Sequence, residues 1–381
     1  MTPPMTPAER RDRLRLARAE GVGPVALRRL LGRFASATEA IAALPGLARA
    51  GGGRAAPVVP SVSSAEDEIA RIARLGGQML VFGEAAYPAL LADLPDAPGA
   101  VAVLGSPAHL ERRAVALVGA RNASANGQRV AAVLAAGLAE AGLAVVSGLA
   151  RGIDAAAHEA TLQAGGVTLA AVAGGIDVPY PPEHAKLQAR IAETGAVIAE
   201  APLGTAPQSR HFPRRNRIIA GLSLGVVVVE AAPKSGSLIT ARLALEAGRE
   251  LFACPGSPLD PRARGANDLI RQGAHLTETA EDVLAHLPDS PHREGLSRLP
   301  LFARGPAPVV MREEHDSAPD GQEAGSARAQ VLDLLGASPV AVDDLLRQCH
   351  VSAATLAEVL LELDLAGRLE RLPGNRVSLL G

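Results

Sequence analysis

The chain has 381 residues and a formal net charge of −2. Apolar residues make up 48% of the total but aromatic residues only 2%, so aliphatic side chains must fill the core and base-stacking rings are few. A nearly neutral chain excludes a polycation that binds nucleic acid over its whole surface, and any such site must be a local patch. The length predicts one large domain with smaller modules beside it.

Cysteine usage and hydropathy narrow the class of protein further. The two cysteines, Cys254 and Cys349, lie far apart in the sequence, which argues against a disulfide framework and against clustered metal ligands. The first residues lack the apolar run of a signal peptide, and no stretch of the sequence is long and apolar enough to span a bilayer. We therefore expect a cytoplasmic protein with no membrane partner, no metal and no cofactor.

The first 60 residues predict a small helical domain. Arginine-rich helical segments lie on both sides of Gly21-Val22-Gly23-Pro24, a tight turn that can hold two helices in a hairpin. Such a turn can offer backbone N–H groups to a phosphate, and a plain helical turn explains the four residues equally well. Both interpretations stay open for this helix-hairpin-helix-like, or SAM-like, segment.

Residues 61–287 predict a doubly wound α/β domain. From Ala114 onward, apolar runs typical of buried strands alternate with amphipathic helical segments. This alternation indicates a parallel sheet covered by helices on both faces, an extended Rossmann-like fold. Ligands bind such sheets at the carboxyl ends of the strands, so the loops that follow the strands are the candidate functional positions.

The rest of the chain divides into a linker and a tail. Residues 288–326 are rich in proline, glycine and charge and predict a flexible linker, which would let the tail move independently. Residues 327–381 predict three helices followed by a β-hairpin, the outline of a winged helix-turn-helix domain.

The third helix of this tail is unsuited to reading duplex DNA. It carries Glu358, Glu362 and Asp364 and no basic residue, whereas a helix that enters a DNA groove needs cations. The hairpin arginines that follow could still contact phosphate, and a protein-contact module fits the tail equally well; these arginines are Arg368, Arg371 and Arg376.

Small, hydroxyl-bearing and basic residues follow five predicted strands in succession. They are Gly119 and Arg121 after the first strand, Ser147, Gly148 and Arg151 after the second, Gly174 and Gly175 after the third, Phe212, Arg214, Arg215, Asn216 and Arg217 after the fourth, and Lys234, Ser235, Gly236 and Ser237 after the fifth. Glycines, hydroxyls and cations at helix starts bind anions such as phosphate. Both the dinucleotide motif G-x-G-x-x-G and the P-loop are missing from the first of these loops. Basic loops spread along one sheet edge therefore predict non-specific binding of an extended polyanion, single-stranded DNA.

The fourth loop places several arginines at the start of a predicted helix. Pro213 fits the first turn of a helix, which puts Arg214, Arg215 and Arg217 near the positive end of the helix dipole. This locally unfavourable placement predicts an external anion that arginines and dipole bind together. Phe212 is the first candidate for stacking on a base and Tyr180 the second, although a core or rim position explains each ring equally well.

Other chemistry is sparse. Three histidines have no metal-ligand spacing, and three acidic residues that could form a catalytic cluster are explained more simply as helix caps or partners of arginines. The histidines are His158, His184 and His211, and the acidic residues are Asp154, Asp177 and Glu200. We assign no catalytic residue, and we expect the protein not to be an enzyme.

Six segments together resemble the DNA-processing protein A (DprA/Smf) family in order and spacing, from about Tyr87 to Leu284. They are VGARNAS, SGLARGIDAAAH, GGIDVPYPPEH, FPRRNRIIAGLS, EAAPKSGSLITA and PGSPLDPRARGANDLIRQGA. The resemblance implies a Rossmann-like protein that binds and protects single-stranded DNA during natural transformation, loads the RecA recombinase and forms a homodimer.

The resemblance also implies roles for particular residues. By position it makes six residues DNA contacts: Arg121, Ser147, Arg214, Asn216, Arg217 and Lys234. The sequence after Pro255 lies in the region through which the family dimerises. A helical module and a winged helix occur in some members, so the flanking segments are compatible with the family but less diagnostic of it.

Two other functions fit the sequence less well. A nucleotide phosphoribohydrolase resembling the lysine-decarboxylase-like family uses the same kind of sheet, but its P-G-G-x-G-T-x-x-E signature is missing and PKSGSLITA stands in its place. A duplex-binding regulator that uses the winged helix is weakened by the acidic third helix.

Overall fold

The computed structural model describes residues 5–53, 57–288, 321–336, 338–349, 351–372 and 374–380. These residues form two compact units. One unit contains residues 66–288, and the other joins residues 6–65 to the C-terminal residues from 321 onward. Most of the predicted linker, residues 289–320, lies outside the described residues.

The N-terminal segment is helical, as predicted. Its helices are α1 (Pro7–Ala17), α2 (Pro24–Arg33) and α3 (Ala37–Ala50), followed by α4 (Val62–Arg74). Thr6 caps α1, and Ser36 caps α3 by accepting the N–H of Glu39 at 3.2 Å. Gly21, with φ of 75°, makes the turn before α2 in a backbone region that favours glycine.

The unit of residues 66–288 is built on a nine-stranded sheet in the order β1-β2-β6-β5-β4-β3-β7-β8-β9. The strands are β1 (Gly77–Val81), β2 (Ala100–Gly105), β3 (Ala114–Val118), β4 (Ala144–Ser147), β5 (Thr168–Val172), β6 (Ala196–Ala199), β7 (Gly225–Val228), β8 (Glu250–Ala253) and β9 (His275–Leu276). In the sheet order, the seven strands from β6 through β5, β4, β3, β7 and β8 to β9 are parallel to one another. At the other edge, β1 pairs antiparallel with β2, and β2 pairs antiparallel with β6. The predicted parallel sheet is therefore mostly parallel, with an antiparallel edge.

Helices cover both faces of this sheet. They are α5 (Ala89–Ala92), α6 (Ala125–Glu140), α7 (Ile153–Gln163), α8 (Ala185–Thr194), α9 (His211–Gly221), α10 (Ser237–Glu246), α11 (Arg264–Arg271) and α12 (Ala280–His286). Alternate residues of one strand enter different cores: Ala116 packs with α9 and α10, whereas Leu117 packs with α6, α7 and α12. This period of two explains why the strands read as continuous apolar runs.

The C-terminal segment is a winged helix. Its elements are α13 (Gly321–Leu334), β10 (Val340–Ala341), α14 (Val342–Gln348), α15 (Ala353–Leu365), β11 (Leu369–Leu372) and β12 (Arg376–Leu379). The strands form an antiparallel sheet in the order β10-β12-β11, and Gly374 and Asn375 turn the hairpin with positive φ angles. The sequence predicts a tail that moves independently, but the described tail belongs to the same compact unit as the N-terminal helices.

Candidate nucleic-acid interface

A groove of about 690 Å³ lies at the carboxyl edge of the main sheet. Residues that follow β3 line one side of it, and residues that follow β7 line the other. Strands β3 and β7 are neighbours, but the chain continues from β3 towards β4 on one side and reaches β7 only after β6. The groove therefore lies at the topological switch point, where doubly wound sheets bind their ligands.

Nine of the predicted residues line this groove. They are Gly119, Arg121, Phe212, Arg215, Asn216, Lys234, Ser235, Gly236 and Ser237. A smaller pocket beside the groove is lined by Gly148, Arg151 and Gly174, and it shares Arg121, Tyr180 and Phe212 with the groove. The fold thus brings loops that are far apart in the sequence to one surface.

A stack of two rings and one cation stands between the groove and the pocket. The guanidinium carbon of Arg121 lies 4.4 Å from the centre of the Phe212 ring. The Tyr180 ring is 5.7 Å from the Phe212 ring, tilted by 56°, and 44% of Tyr180 is exposed. Such an arrangement can offer a flat apolar face to a base and a positive charge to its phosphate.

Four basic side chains are exposed at or near this surface. Arg121, Arg151 and Lys234 line its openings, and Arg214 lies exposed in the first turn of α9. Arg151 also donates a hydrogen bond of 2.5 Å to Glu183. The four cations follow different strands of the sheet, so the positive charge is distributed along this edge and not gathered at one point.

Arg215 also lines the groove, but it is 6% exposed and anchors the loops beneath. Its guanidinium donates to the carbonyl oxygens of Gly148 and Ala171 at the ends of β4 and β5. Burial lowers the pKa of Arg215 to about 10, while the nearby Asp154 carboxylate opposes this shift, so Arg215 remains charged at neutral pH. A Cβ at Gly148 would overlap this guanidinium, so glycine is required there by packing inside the protein.

Arg217 and Ser147 lie inside the protein. Arg217, 5% exposed, donates to Glu200 at 2.6 Å and to the carbonyl oxygen of Asp96. Ser147 is fully buried, and its hydroxyl donates to the carbonyl oxygen of Leu117 at 2.6 Å. Their donors are used by protein acceptors, and neither residue lines the groove or the pocket.

These contacts correct the dipole argument made for α9. The sequence predicts that all three arginines near the start of α9 share an external anion. Arg215 and Arg217 instead find acceptors within the fold, because the helix turns them toward the strand ends and toward Glu200. Only Arg214 of the three is exposed.

The loop after β3 also differs from the prediction. The hydroxyl of Ser124 caps α6 by accepting the N–H of Gly127 at 2.9 Å, and Glu230 accepts the N–H of Ser124 at 2.9 Å. A Cβ at Gly127 would overlap the Glu230 carboxylate. An internal carboxylate thus occupies the helix end that was expected to bind phosphate. The sequence signal for it was an acidic residue directly after the buried run of β7.

The remaining predicted residues shape the loops. Asn216, 8% exposed, donates to the carbonyl oxygen of Gly236 at 3.3 Å, and the hydroxyls of Ser235 and Ser237 lie 2.7 Å apart. Gly174 and Gly175 are buried, and a Cβ at either would lie 2.7 Å from a carbonyl oxygen of the loop that follows β6. Ser209 and Thr240 also line the groove; Thr240 lies one turn after Ser237, and this spacing could have revealed it.

The three acidic residues that could form a catalytic cluster each bind protein groups. Asp154 is buried and accepts the N–H groups of Gly148 at 3.1 Å and Ala150 at 3.3 Å. Asp177 accepts the N–H of Gly204 at 2.8 Å, and Glu200 pairs with Arg217. Capping and ion pairing therefore account for all three carboxylates.

His158 is a packing residue. It is fully buried, its Nδ1 lies 2.7 Å from the Thr168 hydroxyl, and burial lowers its pKa to about 3. Among the residues that the structure describes, no group of three or more His, Cys, Asp or Glu side chains is placed to hold a metal ion. Within the same residues, no helix has the length and apolar character needed to cross a membrane.

Comparison with known proteins gives a consistent assignment along the chain. Residues 78–288 match the family described as DNA recombination-mediator protein A. Residues 7–70 match the DprA-like N-terminal HHH domain, and residues 315–375 match the DprA winged helix domain. All three matches name parts of one family.

Individual relatives agree with this. The chain is 41% identical to Protein Smf of Escherichia coli over 294 residues, which cover 77% of this chain and 75% of the relative. It is 45% identical to DNA processing protein DprA of Bacillus subtilis over 204 residues, 53% of this chain and 69% of the relative.

Two solved structures resemble the fold. DprA from Streptococcus pneumoniae matches with a TM-score of 0.65 and 34% identity, over 76% of this chain and 100% of that one. DNA processing protein A from Helicobacter pylori, described for its single-stranded DNA binding mode, matches with a TM-score of 0.51 and 28% identity, over 55% of this chain and 95% of that one. The family models match the sheet domain and both flanking domains, and the relatives carry the same family names. The chain therefore belongs to the DNA processing protein A (DprA/Smf) family.

Proposed function

We propose that the chain binds single-stranded DNA along the groove at the carboxyl edge of its main sheet. The observation that carries this proposal is the stack of Arg121 on Phe212, with Tyr180 beside it, at the border of groove and pocket. Aromatic rings next to a cation can combine base stacking with phosphate binding. The relative from Helicobacter pylori, known for its single-stranded DNA binding mode, supports the same ligand.

The proposed contacts divide into phosphate and base contacts. Arg121, Arg151, Arg214 and Lys234 bind phosphates, and Phe212 with Tyr180 stacks on bases. Gly119, Ser235, Gly236 and Asn216 form the floor that lets the strand approach the backbone. Stacking depends little on base identity, so the proposed binding has little sequence preference.

We propose that this binding protects incoming single-stranded DNA and loads RecA recombinase onto it during natural transformation, in the cytoplasm. The family match to a DNA recombination-mediator protein supports this role. The chain acts in this proposal as a binding protein and not as an enzyme. For a phosphoribohydrolase, a carboxylate of the site would have to be available to the substrate, whereas Asp154 accepts two N–H groups and Glu200 pairs with Arg217.

We propose that the chain forms a homodimer through the region after Pro255. Leu259 is 90% exposed and Leu276 51% exposed, and exposed leucines of this kind can be buried at an interface between subunits. Light scattering should give a dimer mass for the wild type and a lower mass for a Leu259→Asp, Leu276→Asp variant. Val133→Asp, which changes a residue of α6 that is 61% exposed, is the matched control and should stay dimeric. An unchanged mass in the double variant would remove this region from the interface.

A salt titration tests DNA binding directly. Three exposed cations that each neutralise a phosphate predict that log K for a single-stranded oligonucleotide falls against log salt with a slope of about −2.1, and of about −2.8 if Arg151 exchanges Glu183 for a phosphate. Binding to duplex DNA of the same length should be weaker, because paired bases cannot stack on Phe212. A slope near zero, or equal affinity for both forms at every salt concentration, would contradict the proposal.

RecA loading needs its own assay. RecA should hydrolyse ATP on single-stranded DNA covered by single-strand-binding protein sooner when this chain is added, and the Arg121→Ala variant should lose the acceleration in proportion to its loss of DNA affinity. An unchanged lag at saturating DNA binding would separate DNA binding from RecA loading and refute the second.

A further inference from the structure

The third helix of the winged helix, α15, has two opposite buried faces. Leu356, Val359, Leu360 and Leu363 belong to the core of the winged helix. Leu361 and Leu365 are also buried, 2% and 4% exposed, but lie outside that core. At about 100° per residue they fall on the opposite side of the helix, together with Ala357, Glu358 and Glu362.

The N-terminal helices cover this second face. α15 packs against α3 and α2. The Arg29 guanidinium of α2 donates to the carbonyl oxygen of Ala357 at 3.0 Å, and Arg33 pairs with Glu358 at 2.7 Å. Two arginines of the N-terminal segment are thus matched to the helix whose acidity had no explanation in the sequence.

Glycines at the end of α3 allow close packing. A Cβ at Gly51 would overlap the carbonyl oxygen of Glu362 and lie 2.8 Å from the Ala366 Cβ, and a Cβ at Gly53 would lie 3.1 Å from the Ala366 Cα. The φ of Gly51 is −66°, a value open to any residue. Glycine at this position is therefore explained by the approach of α15 and not by the backbone.

The contact also buries charge. Burial lowers the pKa of Arg29. Burial and the nearby Glu358 raise the pKa of Glu362, while Arg328 and Arg33 oppose this increase. Charges are removed from water only where partners compensate them. The acidic face of α15 and the basic face of α2 supply that compensation to each other.

We propose that the winged helix is a protein-docking module, in which the helix that would enter a DNA groove instead docks on the N-terminal helices of the same chain. A helix held in this way cannot lie in a major groove at the same time. The two chain ends then form one closed module, although more than 250 residues separate them in the sequence.

Cleavage of the full chain tests the docking. A recognition site for a specific protease is placed between residues 301 and 310, and the cut protein is passed over a sizing column. The C-terminal fragment should remain with the rest of the chain. Separate elution of the wild-type fragment at micromolar concentration would overturn the proposal.

Matched variants locate the contact. Gly51→Leu, at the C-cap of α3, should release the fragment, whereas Gly46→Leu within α3 should retain it, because a Cβ at Gly46 meets nothing within 4 Å. Equal retention in the two variants would overturn the role of α15 packing.

Charge reversal provides a second test that does not depend on the glycines. Arg33→Glu or Glu358→Arg alone should weaken retention severalfold, and the double exchange should restore it; failure of the exchange to restore retention would refute the pairing. Duplex affinity should stay unchanged in Gly51→Leu, and a tenfold gain would show that α15 is a masked DNA reader and overturn the docking role.

Discussion

Arg121 and Arg217 are both arginines near the groove, and the structure predicts opposite consequences for their removal. Arg121 is exposed and stacked on Phe212. Arg217 is 5% exposed and bound to Glu200 and Asp96. We expect Arg121→Ala to weaken DNA binding without affecting folding, and Arg217→Ala to destabilise the fold.

The magnitudes follow from these surroundings. Breaking a buried ion pair costs about 3–5 kcal/mol. The lower end of this range applies to Arg217 and Glu200 because the Glu200 side chain is 21% exposed. For a unit of this size, about 3 kcal/mol corresponds to a decrease of roughly 6–12 °C in the thermal midpoint. Arg121→Ala loses an exposed cation–π contact of about 0.5–1 kcal/mol, so its midpoint should move by less than about 4 °C.

The assay combines thermal unfolding by circular dichroism with fluorescence anisotropy on a labelled single-stranded oligonucleotide at one fixed salt concentration. Arg121→Ala should bind about tenfold more weakly, or about 1.4 kcal/mol, at nearly the wild-type midpoint. Arg217→Lys is the control that keeps the charge beside Glu200 and should recover part of the lost stability. The reasoning is refuted if Arg217→Ala melts like the wild type yet fails to bind DNA, because Arg217 would then face the ligand.

Four further predictions concern single features of the molecule. Phe212→Ala should weaken single-strand binding by about 1–3 kcal/mol in the anisotropy assay, while Phe212→Tyr retains it; an equal loss in both would exclude stacking. Because burial lowers the pKa of His158 to about 3, the unfolded chain binds a proton that the folded chain does not, so the free energy of unfolding in urea should fall as the pH drops from about 6.5 toward 3. His158→Gln should show a smaller fall, and an identical pH dependence would refute this linkage. Burial raises the pKa of Cys254 to about 12, so this thiol should resist a disulfide reagent at about pH 8 until the protein unfolds, whereas rapid native labelling in a Cys349→Ser background would contradict its burial. Deletion of the tail from Ser326 should change single-strand affinity by less than about tenfold in a protein that is still dimeric, and a larger loss would make the tail part of the DNA site.

The sequence by itself determined the class of the sheet domain and the position of its functional edge. Apolar runs fix which segments are buried on both faces, and in a doubly wound sheet the carboxyl ends of the strands must meet at one edge. Arg121, Phe212 and Lys234 could therefore be assigned to one surface although they lie in three separate loops. The winged helix could also be predicted from the sequence, because its helices and hairpin follow from local patterns.

Only the tertiary structure decided which charged groups are available to a ligand. Sequence position places Arg214, Arg215 and Arg217 together, but the acceptors of the two buried arginines come from other strands and loops. In the same way, Glu230 reaches the start of α6 across more than 100 residues.

The packing partner of the tail also depends on the tertiary structure. The acidity of the third helix argued against duplex binding through it. Its partner could not be predicted from local pattern, because Gly51 and Arg33 lie far from it in the sequence. Local sequence determines the helix and its two buried faces, whereas the identity of what covers the second face depends on how distant segments meet.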